Sequence, residues 1–135
     1  MVMDLLFSFT GRIGRGKFWL GELTVLLLAV LIMIPVSIMV PWEQVIVTGA
    51  DGQPTVDYSN PAMLPVWIGY LIYFVIGFWI TFAISIKRYH DRGKSGWWSL
   101  IMFIPLIGPI WWLIELGFLR GDPGPNAYGP PVVPA

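Results

Sequence analysis

The sequence predicts an all-α integral membrane protein with three transmembrane helices and a short amphipathic segment ahead of the first. Three observations lead there. The chain is 56% hydrophobic and only 12% charged, against about 25% charged residues in an average soluble domain, so a soluble fold would lack polar surface to cover its core. The apolar residues gather into three runs long enough to cross a bilayer. The lysines and arginines gather at one end of those runs, as topology-setting charges do.

The first run, Phe18 to Val40, has 23 residues and would be about 34 Å long as a helix at 1.5 Å per residue. That crosses a hydrocarbon core of about 30 Å with slight tilt. Pro35 is expected to kink it, a feature membranes tolerate when neighbours satisfy the freed carbonyl. The second run, Met63 to Ile86, has 24 residues and no charge. The third, Trp97 to Phe118, has 22 residues but contains Glu115 and the break Pro105-x-x-Gly108-Pro109. A straight span is the first reading of it. A re-entrant pair of half-helices is the alternative, provided protein or water covers the broken backbone.

The connecting segments complete one membrane domain of 135 residues. Residues 1–17 precede the first span, and within them Leu5 to Phe9 is too short to cross and suits the interface. The opening Met1-Val2-Met3-Asp4 lacks the basic residues of a cleavable signal and no small-x-small cleavage pattern follows, so the first span is expected to stay as an anchor. Residues 41–62 form an outer loop, where the β-prone runs Gln44–Thr48 and Pro54–Tyr58 flank the turn signal Asp51-Gly52 and allow a small hairpin. Residues 87–96 form a basic inner loop. The tail, 119–135, is dense in proline and glycine and cannot be helical.

Arg12, Arg15 and Lys17 precede span one, and Lys87, Arg88, Arg92 and Lys94 lie between spans two and three. The outer loop has no basic residue and carries Glu43, Asp51 and Asp57. In a three-span arrangement this places the N-terminus in the cytoplasm and the tail, with Arg120, outside. Trp19, Trp97 and Trp98 are expected to anchor the inner interface, and Trp42 and Tyr58 the outer one.

Several function classes are set aside by the same inventory. The net charge is zero, so bulk attraction to nucleic acid is not indicated. With no cysteine and the single histidine His90, no cysteine or histidine cluster can hold a metal, and no cofactor is implied. Gly11-x-x-x-x-Gly16-Lys17 imitates a phosphate-binding loop, but Phe18 stands where serine or threonine should follow and no strand precedes it. Near Gly93-Lys94-Ser95, Arg88 replaces the leading glycine. His90 and Asp91 lack a nearby nucleophile or second carboxylate, so no catalytic set is assigned.

The segments Gly11–Trp19 and Lys87–Trp98 echo each other: each places Arg-Gly-Lys just before an aromatic pair that opens a span. Arg12, Arg15, Lys17, Lys87, Arg88, Arg92 and Lys94, with His90 and Asp91, form the candidate site for an anionic headgroup or a partner protein. The plainer reading is that they set topology, with Asp91 paired to Arg12, Arg15 or Arg92. Glu22 and Glu115 are the ionisable residues within the spans. Their expected partners are Lys17 or Lys87 for Glu22 and Arg120 for Glu115. In span two, Gly69, Tyr73, Gly77, Thr81 and Ser85 recur every fourth residue as a small, weakly polar stripe suited to helix packing.

Three motifs in order then resemble one family. These are Phe9-x-Gly11-Arg12-Ile13-x-Arg15-x-x-Phe18-Trp19, Lys87-Arg88-Tyr89-His90-Asp91-x-Gly93-Lys94-Ser95-Gly96-Trp97-Trp98, and Gly124-x-Asn126-x-Tyr128-Gly129-Pro130. Together they resemble the small bacterial inner-membrane proteins grouped as domain of unknown function 805. Lys87 and Tyr89 stand where the family usually has arginine and leucine, and the outer loop is longer than usual. The resemblance implies a bacterial cytoplasmic membrane and a polytopic helical fold, and it supplies no activity. It also implies that Asn126, Tyr128 and Gly129 form a turn docking on the membrane domain. Docking against the basic loops would require a cytoplasmic tail and a re-entrant third segment.

The leading functional expectation is a non-enzymatic accessory or scaffold subunit. Its basic inner face would bind anionic lipid or a protein partner, and its helices would assemble with other subunits or with itself. A small-solute transporter or channel built by oligomerisation is the rival, and an enzyme acting on lipid phosphate is third.

Overall fold

A computed structural model describes residues 2–132. It is mostly helical, with two long apolar helices, a third short one and a two-stranded sheet. The chain divides into two compact units: one takes the residues up to Val25 and those from Phe78 onward, the other Leu26–Gly77.

In the first unit, α1 (Val2–Phe7) is followed by a loop through Gly11, whose φ of 86° suits glycine. Helix α2 (Arg15–Met39) begins there, with Gly14 O accepting from Phe18 N at 3.0 Å. Its 25 residues reach about 37 Å, enough to cross a bilayer. Phe18, Gly21 and Val25 form its buried edge. Helix α4 (Leu64–Asp91) begins in the other unit and ends in this one. The core joins Ile13, Phe18, Ile84, Tyr89 and Leu116, with Leu5, Ile101 and Trp112 packed against them. Gly21 lies so close to the Ile84 side chain that an added Cβ would sit 2.8 Å from it.

In the second unit, α3 (Trp42–Val45) leads into β1 (Ile46–Thr48), which pairs antiparallel with β2 (Pro54–Val56), Ile46 opposite Val56. The turn between them contains Gly52 at φ 76°, as the Asp51-Gly52 signal predicts. A 3-10 turn (Pro61–Met63), capped by Asn60 Oδ1 accepting from Ala62 N at 2.9 Å, opens helix α4 (Leu64–Asp91). Val40, Val45 and Met63 pack together beneath the strands. Gly69 lets α4 approach Val36 of α2, where an added Cβ would meet a methyl at 2.9 Å. This is the close packing expected of that stripe.

The third apolar run is not a straight helix. It forms a 3-10 helix (Gly96–Phe103), reverses at Ile104–Leu106, and returns as α5 (Ile107–Trp112) and a π-helical stretch (Leu113–Phe118). Leu106 has φ 65° and ψ −55° and is the only non-glycine residue with positive φ among those described. Ile107 N donates to Pro105 O at 2.7 Å across it, making a γ-turn of the strained kind. Pro105 and Pro109 bring no N–H to be satisfied there. Gly108 lies against the Ile101 carbonyl and Met102, where any Cβ would collide with backbone. The outgoing arm has 8 residues and the return arm 12. At about 2.0 and 1.5 Å per residue they measure about 16 and 18 Å, roughly half the hydrocarbon thickness each.

Candidate functional site

Helix α4 continues past the apolar run, so Lys87 to Asp91 sit on its final turns. Their spacing turns Arg88 and Asp91, three residues apart, toward one another. The Asp91 carboxylate bridges two guanidiniums. Its Oδ1 accepts from Arg12 Nε at 3.1 Å and Nη2 at 3.0 Å, and its Oδ2 accepts from Arg88 Nη1. The three side chains are 4%, 2% and 0% exposed respectively. Arg12 also donates to the carbonyls of Gly124, Gly129, Asp122 and Asp91. Burial of such charges is tolerable because every one is paired and hydrogen-bonded.

The return arm ends against these residues. Leu116 O accepts from Arg88 Nε at 2.9 Å, Gly117 O from Trp19 Nε1 at 3.1 Å and Phe118 O from Arg15 Nη1 at 3.2 Å. Leu119 O accepts from Arg88 Nη2, and Arg120 O from Arg92 Nη1 at 2.5 Å. Five successive carbonyls, three in the last helical turn and two just beyond it, are thus covered by side chains of the first and second motifs. These are the groups a helix leaves without partners, and cations are favoured at that end. Glu115, in the preceding turn, accepts from Arg92 Nε and Lys94 Nζ, both at 2.6 Å. Lys94 also lies over the Trp98 ring, 4.7 Å from its centre. Lys87 covers the other short helix: its Nζ donates to Asp4 O at 2.7 Å and to Leu5 O, near the end of α1.

The tail closes the arrangement. Asp122 N donates to Asp91 O at 2.7 Å, and at Gly121 a Cβ would occupy the space of the Asp91 carboxylate. Asn126 Nδ2 donates to His90 O and to Asp122 Oδ2, each at 2.9 Å, while its Oδ1 accepts from Tyr128 N. Asn126 and Gly129 exchange backbone hydrogen bonds at 3.1 Å. The Tyr128 ring stacks on His90, 3.8 Å between centres and 4° from parallel, and His90 Nδ1 lies 3.2 Å from Gly11 O. Gly93, at φ 67°, passes so close to Asp122 that a Cβ would stand 2.6 Å from its carboxylate.

The candidate residues therefore have distinct surroundings. Arg12, Arg88, His90, Asp91, Asn126, Tyr128 and Gly129 meet in one clasp, and Arg15, Trp19, Arg92 and Lys94 join it along the return arm. Lys17 is exposed, and Trp97 is 79% exposed on the outgoing arm. Asp91 pairs with Arg12, one of its expected partners, and also with Arg88. Two expected pairings are corrected. Glu115 pairs with Arg92 and Lys94 in place of Arg120, because the reversal at Leu106 carries it back to the basic end. Glu22 meets Thr81 Oγ1 at 3.5 Å, not a lysine. Sequence reasoning marked Gly108 as part of the break in the third run but missed Gly121, whose signal was its position at the opening of the tail. No group of three or more potential metal ligands occurs among the described residues.

The comparisons agree with the motifs. The model of a protein family of unknown function, DUF805, matches residues 6–130. The chain is 30% identical over 125 residues to the inner membrane protein YhaH of Escherichia coli K12, covering 91% of this chain and 85% of that protein. It is 26% identical over 152 residues to the uncharacterized protein YiiR of the same strain, covering 95% and 88%. It is 39% identical over 61 residues to the inner membrane protein YhaI, covering 44% and 49%. No solved structure matches. With its three motifs brought together in one clasp and the family model spanning nearly all of it, the chain belongs to the DUF805 family of uncharacterised proteins.

Proposed function

We propose that this protein is a non-enzymatic subunit of the bacterial inner membrane that crosses twice and dips back once. Helices α2 and α4 would cross, and the 3-10/α5 hairpin would enter from the cytoplasmic face and return to it. The observation that carries this is the row of carbonyls from Leu116 to Arg120 bonded to Arg88, Trp19, Arg15 and Arg92, which ties the end of the third segment to the basic motifs. All eight lysines and arginines then share one face, seven in the motifs and Arg120 beside them. That is a stronger cytoplasmic bias than a third full crossing would allow. The names of YhaH and YhaI support the inner-membrane assignment.

On this reading the motif cations divide by role. Arg12, Arg88 and Lys87 hold the fold, while exposed Lys17, Arg15 and Arg120 face headgroups or a partner. Each such cation contributes about 1 kcal/mol of attraction to an anionic surface. Long apolar faces on α2 and α4 remain open to lipid or to other helices, which suits an accessory or scaffold role. Native mass spectrometry after mild extraction tests this. Retained anionic lipid or companion subunits, reduced in a Lys17→Gln/Arg120→Gln variant, are expected. A lone folded monomer carrying neither would refute it.

A further inference from the structure

Glu22 is a carboxyl group that the clasp does not use. It lies on α2 one turn beyond Phe18, on the edge that faces α4. Its Oε2 accepts from Thr81 Oγ1 at 3.5 Å, a long and weak contact. Its Oε1 is buried with no hydrogen-bond partner among the described residues. The surroundings on α4 are apolar or already engaged: Ile84 packs at Gly21, and Ser85 Oγ accepts from Trp112 Nε1 at 2.8 Å.

Among the described residues no cation is paired with this carboxyl. Lys17, five residues earlier on the same helix, is rotated about 140° away at about 100° per residue. Trp19, three residues earlier, directs its indole N–H to Gly117 O. On the return arm the charged group is Glu115, engaged by Arg92 and Lys94. On α4, Lys87 is turned to α1 and Arg88 to Asp91 and the return arm. A carboxylate here would be a buried charge with one weak donor, a costly state inside a membrane helix. A neutral acid removes the charge.

We propose that Glu22 is an exchangeable proton-binding site within the membrane segment, occupied at neutral pH. This extends beyond the assembly role, and it rests on the reading of α2 as a membrane span. Glu115 supplies the contrast within the same chain: it is also buried, but two cations hold it as a carboxylate.

Infrared spectroscopy of the full chain in lipid vesicles tests the site without requiring access by a reagent. A protonated-carboxyl carbonyl band is expected at neutral pH, absent in Glu22→Gln and retained in Glu115→Gln. The band should fade at alkaline pH. Because glutamine imitates the neutral acid, Glu22→Gln should fold with unchanged helix content by circular dichroism. Should it not fold, Thr81→Val gives the second reading, in which the band persists at a shifted frequency. Absence of the band in the folded wild type, or its survival in folded Glu22→Gln, overturns the proposal. So does its loss when sodium chloride replaces choline chloride, since that would assign the site to a metal cation.

Discussion

Replacing Asp91 with asparagine leaves the shape of the clasp and removes its one bridging charge. Arg12 and Arg88, 2% and 0% exposed at their side chains, would keep their carbonyl acceptors but lose their countercharge. Removing one partner of a buried ion pair costs about 3–5 kcal/mol, and each hydrogen bond to a charged group contributes about 1.5–3 kcal/mol. Asparagine can still accept from one guanidinium, so we expect Asp91→Asn to destabilise the fold by about 3–5 kcal/mol rather than by the sum over three bonds. That is a large share of a total stability of about 5–15 kcal/mol. The assay is reversible denaturation in mixed micelles, followed by tryptophan fluorescence, with protease cleavage of the tail as a second reading. Adding Arg88→Met should recover part of the loss, with a coupling of at least about 1 kcal/mol. A variant within about 0.5 kcal/mol of wild type, its tail still protected, would mean that Asp91 does not hold the clasp together.

Other perturbations separate the parts of the account. Gly108→Val would force the hairpin arms apart at the Ile101 carbonyl and cost at least about 1–3 kcal/mol by overpacking, read by the same denaturation. Leu106→Gly would relieve the left-handed backbone of a residue 83% exposed and is expected to stabilise by about 1 kcal/mol; a loss would contradict the γ-turn. Tyr128→Ala removes the stack on His90 and should cost about 0.5–1.5 kcal/mol, raising tail proteolysis while the helices keep their circular dichroism. In the loop between α2 and α4, hydrogen bonds from the Ser59 hydroxyl and N–H hold Asp57 below the ordinary aspartate range. Its contribution is therefore complete above that range and lost as pH falls through the depressed folded value. The protection of the Ser59 amide, its exchange rate relative to the intrinsic rate at the same pH, should fall only under that acidification and show no such step in Asp57→Ala.

Much of the fold was legible because its determinants are local. Apolar runs longer than a bilayer core mark α2 and α4, and Asp51-Gly52 between β-prone segments marks the small sheet. The third run was ambiguous for a physical reason. Twenty-two mostly apolar residues satisfy a length criterion whether or not they reverse, and what decides is backbone proximity at Gly108 and the strained turn at Leu106. The bonds from the basic motifs to the return arm were not legible, because a sequence shows which residues can donate but not which carbonyls will lack partners. Once the return arm ends at Phe118, its last carbonyls and the two that follow are the acceptors Arg15, Arg88 and Arg92 reach. The turn around Asn126 did carry a readable hint that tail and basic motifs meet, and with it the re-entrant alternative.

The side of the membrane on which the tail emerges tests the central idea most directly. Paired C-terminal fusions to alkaline phosphatase and to a fluorescent protein, expressed in the bacterial inner membrane, give opposite signals on the two sides. The clasp predicts an inactive phosphatase and a bright fluorescent fusion, with Asp91→Asn lowering fold stability but not reversing the side. An active phosphatase and a dark fluorescent fusion would mean that Leu116 to Arg120 lie across the membrane from Arg12 and Arg88, and the clasp could not exist.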